Sequence, residues 1–144
     1  MRLSIVGILA CVSLSACVAG GIPIPILNPQ APPQPASEVV DAAAIVPRDG
    51  AGAIVVTRDW QLRDRKCSYD ISLDGRFVAG LRTGEQVTIY ADPGARTVGV
   101  SIRNEGNCDA ALAQVPLQVV ASATTTIRVR ADLSYDLKVE ATTY

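Results

Sequence analysis

From Ala53 onward, apolar and polar residues alternate with a period of two, and this alternation limits the fold more than any other feature. Successive side chains of a strand point to opposite faces, so such runs predict half-buried strands. Their spacing of about 8–12 residues predicts an all-β fold, a small antiparallel β-sandwich of about 7–8 strands. The runs are residues 53–57, 67–73, 76–79, 87–91, 98–102, 115–121, 125–131 and 135–141.

Turn residues separate these runs. Asp74-Gly75 lies between two of them and is the strongest short hairpin signal in the chain. Pro93 presets φ for a turn, and Gly94 supplies a conformationally permissive position directly after it. A transmembrane barrel is the alternative, but it needs strands of about ten residues and girdles of aromatic residues. Aromatic residues make up only 4% of this chain, which favours the sandwich.

The composition argues against several classes of function. The chain has no His, so it lacks both the usual general base near neutral pH and the commonest metal ligand. Without a Gly-x-Ser-x-Gly or paired acidic motif, we predict no enzyme, no catalytic residues, no metal and no cofactor; a hydrolase is a weak alternative. With 13 basic and 14 acidic residues, the net charge of −1 argues against nucleic-acid binding.

The chain begins with the pattern of a secretory signal peptide. Arg2 supplies one positive charge, residues 3–14 are uncharged and mostly apolar, and Ser15 and Ala16 are small. An uncleaved transmembrane anchor over residues 3–22 is one alternative, and ordinary secretion is another. Glycine and proline residues that interrupt the apolar stretch favour a cleaved signal peptide over residues 1–16.

Leu14-Ser15-Ala16-Cys17 resembles the bacterial lipobox, which consists of an aliphatic residue, two small residues and a cysteine. The resemblance implies cleavage before Cys17, diacylglyceryl attachment to its thiol and acylation of the new amine by a fatty acid such as palmitate. In the sorting rule that belongs to this resemblance, Asp after the cysteine retains a lipoprotein at the inner membrane. Val18 stands there instead. The implied location is therefore the outer membrane, with the protein facing the periplasm.

Residues 17–47 are predicted to form a flexible, lipid-anchored linker. Six of the nine prolines lie between residues 18 and 37, and such a run favours extended polyproline II. The segment is either a spacer, which we favour, or a ligand for a groove that recognises polyproline II. Residues 37–44 can form one or two helical turns with Ser37 as N-cap. The β-sandwich domain is predicted to span residues 48–144.

The turns carry a second resemblance. Residues 71–75, 79–85 and 92–98 are similar to small, surface-associated bacterial β domains of the PEGA type. They are also similar to lipoprotein domains of unknown function that have a transthyretin-like sandwich. The tetrapeptide that gives the PEGA type its name is absent. The resemblance implies a fold, and it brings no catalytic residues to this chain.

The cysteines divide into three roles. If Cys11 leaves with the predicted signal peptide and Cys17 is lipidated, as the lipobox resemblance implies, Cys67 and Cys108 remain as an even pair. In an exported protein such a pair predicts a disulfide. A metal site would need more ligands than two thiols, and a redox site would favour a Cys-x-x-Cys spacing.

Residues 58–66, here called the 58–66 loop, combine four cations and two carboxylates with the only Trp of the chain. One interpretation is a contact surface for an anionic lipid headgroup, a polysaccharide or an acidic protein patch, with Trp60 as anchor. The other, which we favour, is that Trp60 covers the open end of the sandwich while the charges are solvated. The candidate contact residues are Arg58, Trp60, Arg63, Arg65 and Lys66.

These patterns predict a membrane-anchored, exported lipoprotein that acts as a non-enzymatic interaction or structural module of the cell envelope. Its expected partners are membrane lipid, through acylated Cys17, and an envelope protein or polysaccharide. The alternative is a carbohydrate- or protein-binding module of the inhibitor type that uses the 58–66 loop.

Overall fold

The computed structural model describes residues 32–61, 65–103, 106, 108–131 and 137–143. The signal peptide, Cys17, the first part of the linker and Arg63 lie outside the described residues, so their assignments stay predictions. The described residues form two β-sheets that pack face to face, with one short 3-10 helix, Ala42–Ile45. The predicted all-β sandwich is therefore confirmed.

Eight strands of five or more residues lie where the alternating runs predict them, and two strands of two residues precede them in the described chain. The long strands match the expected number. The strands are β1 Gln34–Pro35, β2 Glu38–Val39, β3 Gly52–Arg58, β4 Tyr69–Leu73, β5 Arg76–Leu81, β6 Glu85–Ala91, β7 Gly94–Ile102, β8 Leu112–Val119, β9 Thr124–Ala131 and β10 Leu137–Thr143.

The described strands form sheet A, in the order β1-β6-β3-β9-β10, and sheet B, in the order β2-β5-β4-β7-β8. Most neighbours are antiparallel, but β3 pairs with β9 in parallel, and so does β1 with β6. The antiparallel prediction therefore holds for most neighbours and fails for these two. No hairpin joins β3 to β9, because the chain passes through sheet B between them, and the alternation of side chains does not encode strand direction.

The core lies between the sheets and consists of the inward-facing positions of each run. Ile54 and Val56 of β3 are fully buried, and so are Ile127 and Val129 of β9. Tyr69 of β4 is the largest aromatic side chain that the core encloses completely. The period of two therefore places the apolar residues of both sheets on the shared face, where removal from water stabilises the fold.

The hairpin between β4 and β5 turns at Asp74 and Gly75, as predicted. Asp74 has φ 50° and Gly75 has φ 80°, so both central residues are left-handed. This is the requirement of the type I′ turn, whose twist matches that of the flanking strands. The Asp74 carboxylate also accepts a hydrogen bond from the backbone N–H of Thr97 on β7 at 2.9 Å, which fixes the turn to the next strand of sheet B.

The end of the predicted linker is part of the domain. Residues 34–39, here called the strap, pair with β6 of sheet A through β1 and with β5 of sheet B through β2. The backbone N–H of Ala36 donates to the carbonyl oxygen of Gln86 at 2.8 Å, and that of Val40 donates to Val78 at 2.8 Å. Within the described part of the chain, the first strands therefore lie at residues 34–39, ahead of residue 48, where the domain is predicted to begin.

The helical turns predicted for residues 37–44 are also different. The strap is extended through Glu38–Val39, and the 3-10 helix begins only at Ala42. The N-cap position of that helix belongs to Asp41 and not to Ser37. The Asp41 side chain forms no capping hydrogen bond. Backbone pairing with the edges of the sheets satisfies the N–H groups of this segment, which a helix would otherwise have to pair internally.

Candidate functional site

Arg58, at the end of β3, is buried and not at the surface. Its side chain is 0% exposed, and Nη1 donates to the carbonyl oxygens of Cys67 at 2.6 Å and Leu81 at 3.0 Å. The guanidinium lies 3.8 Å from the centroid of the Tyr69 ring, within the range of a cation–π contact. The prediction that Arg58 contacts a partner is therefore wrong, because these groups hold it in the core.

The next residues of the 58–66 loop are fixed on sheet A. The carboxylate of Asp59 accepts hydrogen bonds from Nε and Nη2 of Arg128, at 3.0 and 2.7 Å, and this pairing raises the pKa of Arg128. Gln61 donates to the carbonyl oxygen of Ala131 at 2.7 Å and accepts from its N–H at 3.0 Å. In the sequence, Trp60 lies between Asp59 and Gln61, and its side chain is half-buried. This position fits the interpretation in which Trp60 covers the sandwich.

A disulfide joins Cys67 and Cys108, as predicted. Their Cα atoms lie 5.8 Å apart, and both residues are buried. Cys67 lies between β3 and β4, and Cys108 lies between β7 and β8. The disulfide therefore joins the β3–β4 connection to the β7–β8 connection.

Arg65 and Lys66 are exposed and lie at the mouth of a cavity of about 300 Å³. The cavity lies at the end of sheet B where β4 begins and where the antiparallel strands β5 and β7 finish, which brings their following residues together. Here it is called the basic cavity. Its lining residues are Glu38, Arg65, Lys66, Cys67, Ser68, Arg82 and Arg103.

Sequence reasoning missed Arg82 and Arg103, although the strand pattern contains a signal for them. Each arginine directly follows a strand that pairs antiparallel with β4, and Arg65 and Lys66 precede β4. Neighbouring antiparallel strands begin and end at the same edge. A search for cations at strand ends, instead of in one continuous loop, would have grouped all four residues.

Arg103 lines the basic cavity and pairs with two carboxylates. Its Nη2 donates to Asp70 Oδ1 at 2.6 Å, and its Nη1 and Nη2 donate to the two carboxylate oxygens of Glu38 at 3.2 Å each. The hydrogen bonds to Asp70, and then those to Glu38, raise the pKa of Arg103 above its ordinary value. Gly80 lies beneath this cluster, where a Cβ atom would stand 2.7 Å from Glu38 Oε2. Glu38 belongs to the strap, so the strap ends at the cavity.

The other three cations of the basic cavity have a different environment. Across the residues that the structure describes, no carboxylate forms an ion pair with the side chains of Arg65, Lys66 or Arg82. Three positive charges therefore face a concave polar space in which the carboxylate of Glu38 is already engaged by Arg103. An anion is the ligand that such a site favours.

A second cavity of about 470 Å³ lies beside the 3-10 helix and the turn between β6 and β7, and its charges are already paired. Each of three arginines around it faces one carboxylate, so it offers little excess charge to a ligand. The pairs are Arg48 with Asp92 at 3.2 Å, Arg76 with Asp41 at 2.9 Å and Arg96 with Asp74 at 3.1 Å.

The fold and the site together define a small β-sandwich domain with an internal disulfide and one basic cavity among its described residues. Within that described part, no three His, Cys, Asp or Glu side chains are grouped so that they could hold a metal ion. Among the described residues, no helix is both long and apolar enough to cross a bilayer. No protein-family model matches the chain, and no curated protein matches it significantly.

Proposed function

We propose that this protein is an exported lipoprotein, held at the outer membrane through acylated Cys17, and that its sandwich is a non-enzymatic interaction or structural module of the cell envelope. The observation that carries the proposal is the Cys67–Cys108 disulfide. Structural disulfides persist in oxidising compartments such as the periplasm and are rare in the cytosol of most organisms. The lipobox resemblance at Cys17 supports the same compartment, and the two-sheet sandwich fits the transthyretin-like resemblance.

The strap supports a defined arrangement of the anchored domain. Residues 18–33 lie between Cys17 and the strap and contain much of the proline. At about 3.1 Å per residue in polyproline II, these residues reach about 50 Å at most. Two or more acyl chains make such anchoring stable, whereas one chain binds a membrane only marginally. The domain is thus tethered from the side that carries the strap and the basic cavity.

Labelling with a radioactive fatty acid tests the anchor. We expect label on the natural chain and on Cys11→Ser, and none on Cys17→Ser. Cys11→Ser is the matched control because it removes a cysteine of the leader without touching the lipobox. Label that persists on Cys17→Ser would show that the anchor is elsewhere.

A second candidate function is a carbohydrate- or protein-binding module of the inhibitor type. The observation that favours it is the exposure of Arg65 and Lys66 beside the basic cavity. Arg58 does not contribute, since it is buried. Crosslinking of the envelope followed by purification of the tagged full chain tests for a protein partner, and a glycan array tests for a carbohydrate ligand. Recovery of a specific envelope protein supports an interaction module, whereas binding on a glycan array supports a carbohydrate-binding one.

A further inference from the structure

We propose that the basic cavity binds a phosphate group, carried by a phosphomonoester such as a lipid headgroup or present as free phosphate. The inference deepens the proposed function and rests on it, because it gives the interaction module a ligand class. The sequence placed the candidate contact site in the continuous 58–66 loop, whereas the proposed phosphate site consists of residues at the ends of three strands.

The charge of the cavity favours a dianion. Arg103 is hydrogen-bonded to both Asp70 and Glu38, and these two carboxylates exceed its single positive charge by one. Arg65, Lys66 and Arg82 form no such pairs among the described residues. A phosphomonoester carries about −1.5 to −2 charges near neutral pH, whereas a carboxylate carries only one. The four cations and two carboxylates of this cluster leave a net charge of +2, which matches phosphate better than carboxylate.

The donors of the cavity also suit a phosphate. Guanidinium groups present planar pairs of N–H donors that match phosphate oxygens bidentately, and an ammonium group adds a point charge. Ser68 contributes a hydroxyl from the same lining. The cavity volume of about 300 Å³ is roughly ten times the liquid volume of one water molecule, about 30 Å³. Phosphate fits, with space for an attached group.

Glu38 acts as an internal competitor of the ligand. Its carboxylate lines the cavity and already accepts hydrogen bonds from Arg103 at 3.2 Å. Its negative charge opposes an incoming anion in the same space. Neutralising this residue should therefore strengthen phosphate binding, whereas neutralising a cation should weaken it. The two changes have opposite signs, which loss of folding cannot produce.

Calorimetric titration of the acylated full chain in a neutral detergent tests the inference, with inorganic phosphate, glycerol phosphate and acetate as probes at low ionic strength. We expect saturable phosphate binding, weakened about tenfold in Arg82→Gln and in Lys66→Gln, because each removes a charge-assisted hydrogen bond. Glu38→Gln should tighten binding about threefold. Arg48→Gln is the matched control, since this arginine pairs with Asp92 outside the cavity, and its affinity should be unchanged.

Comparison of glycerol phosphate with inorganic phosphate distinguishes the two sources of the phosphate group. Tighter binding of glycerol phosphate than of inorganic phosphate supports a headgroup ligand, and the reverse order supports free phosphate. Absence of saturable phosphate binding overturns the inference, as does an Arg82→Gln effect no larger than that of Arg48→Gln. Acetate that binds as tightly as phosphate overturns the preference for a dianion.

The same preparation separates this inference from the proposed function. Fatty-acid labelling reports the anchor at Cys17, and the titration reports the cavity. If the chain carries the label but binds no phosphate, the result supports the lipid anchor and refutes the phosphate site. If the chain binds phosphate but carries no label, the result supports the phosphate site and refutes the lipid anchor.

Discussion

The two long sides of the sandwich are protected in different ways. On one side, here called the closed side, the strap pairs with the edge strands β6 and β5 of the two sheets. On the other, here called the open side, β8 and β10 are the outermost strands of their sheets among the described residues. The closed side is thus covered by a distant segment of the chain, whereas the open side depends on the composition of its own edge strands.

The composition of β8 makes its outer edge unsuitable for pairing with another strand. The N–H of Ile102 donates to the carbonyl oxygen of Ala111 at 2.8 Å, and the antiparallel alternation then directs the odd-numbered residues of β8 toward β7. The even-numbered residues present their backbone groups outward. Pro116 occupies one of these positions and has no N–H, so it interrupts the row of donors that another strand would need. Gln118 is exposed beside it.

The difference shows how one small domain combines two solutions to the same problem. An unpaired edge can template association with another chain, and it must be covered or made unsuitable for pairing. Covering β5 and β6 also fixes the end of the predicted linker and brings Glu38 to the basic cavity. The closed side therefore combines edge protection with the candidate site, while the open side carries protection alone.

The largest expected effect comes from the disulfide, which joins a residue beside the closed-side cavity to the connection that leads into β8. Replacing both cysteines with alanine, Cys67→Ala together with Cys108→Ala, should lower the free energy of unfolding by about 4 kcal/mol in the chain-entropy model. The sequence separation of 41 residues sets this value. Urea unfolding measures it, and a loss below about 1 kcal/mol would contradict the expected constraint.

Arg58 tests whether the closed side is held from within. Arg58→Met keeps the length of the side chain but removes the donor from the buried carbonyls of Cys67 and Leu81. Each buried acceptor left unsatisfied costs about 1–3 kcal/mol, so a total loss of about 3 kcal/mol is expected in urea unfolding. Arg128→Met is the control, because its exposed pair with Asp59 should contribute less than about 1 kcal/mol. Equal effects of the two changes would refute the interior role.

The strap should contribute a smaller amount of stability. Ala36→Pro removes the N–H that donates to Gln86 and keeps the extended backbone, so a loss of about 1 kcal/mol is expected. Gln118→Pro is the matched change on the open side, where the N–H points away from β7. It should cost less. A larger loss for Gln118→Pro in thermal unfolding would reverse the assignment of closed and open sides.

The smallest effect on stability is expected at Pro116. Pro116→Thr restores an outward N–H and a residue that favours strands, so the outer edge of β8 becomes continuous. The free energy of unfolding should change little, whereas self-association should increase with concentration. Sedimentation velocity detects this change. A variant that stays monomeric at every concentration would mean that Pro116 does not protect this edge.

The long strands, one hairpin and the disulfide could be predicted from the sequence because their signals are local. The alternating runs located the long strands, and Asp74-Gly75 located a hairpin whose two left-handed residues the structure shows. The pair of cysteines left after the leader and Cys17 predicted the disulfide. Each of these signals lies within one run or follows from the redox compartment.

The closed side could not be predicted in the same way, because it depends on contacts between distant residues. The strap pairs with the two edge strands through backbone groups, which leave no alternation in Gln34–Val39. The basic cavity joins residues from three strand ends. Arg58 is the exception. It follows Ile54 and Val56 at a spacing of two, so the same period that located the core places its side chain inward.

Hydrogen exchange of backbone amides in the full chain tests the difference between the two sides most directly. The amides of Ala36 and Val40 donate to carbonyl oxygens of Gln86 and Val78, so they should exchange slowly. The amide of Gln118, which points outward from β8, should exchange quickly. Slow exchange at Ala36 and Val40 with fast exchange at Gln118 is the predicted result. Exchange at Ala36 and Val40 as fast as at Gln118 would contradict the central claim, that the end of the predicted linker pairs with the edges of both sheets.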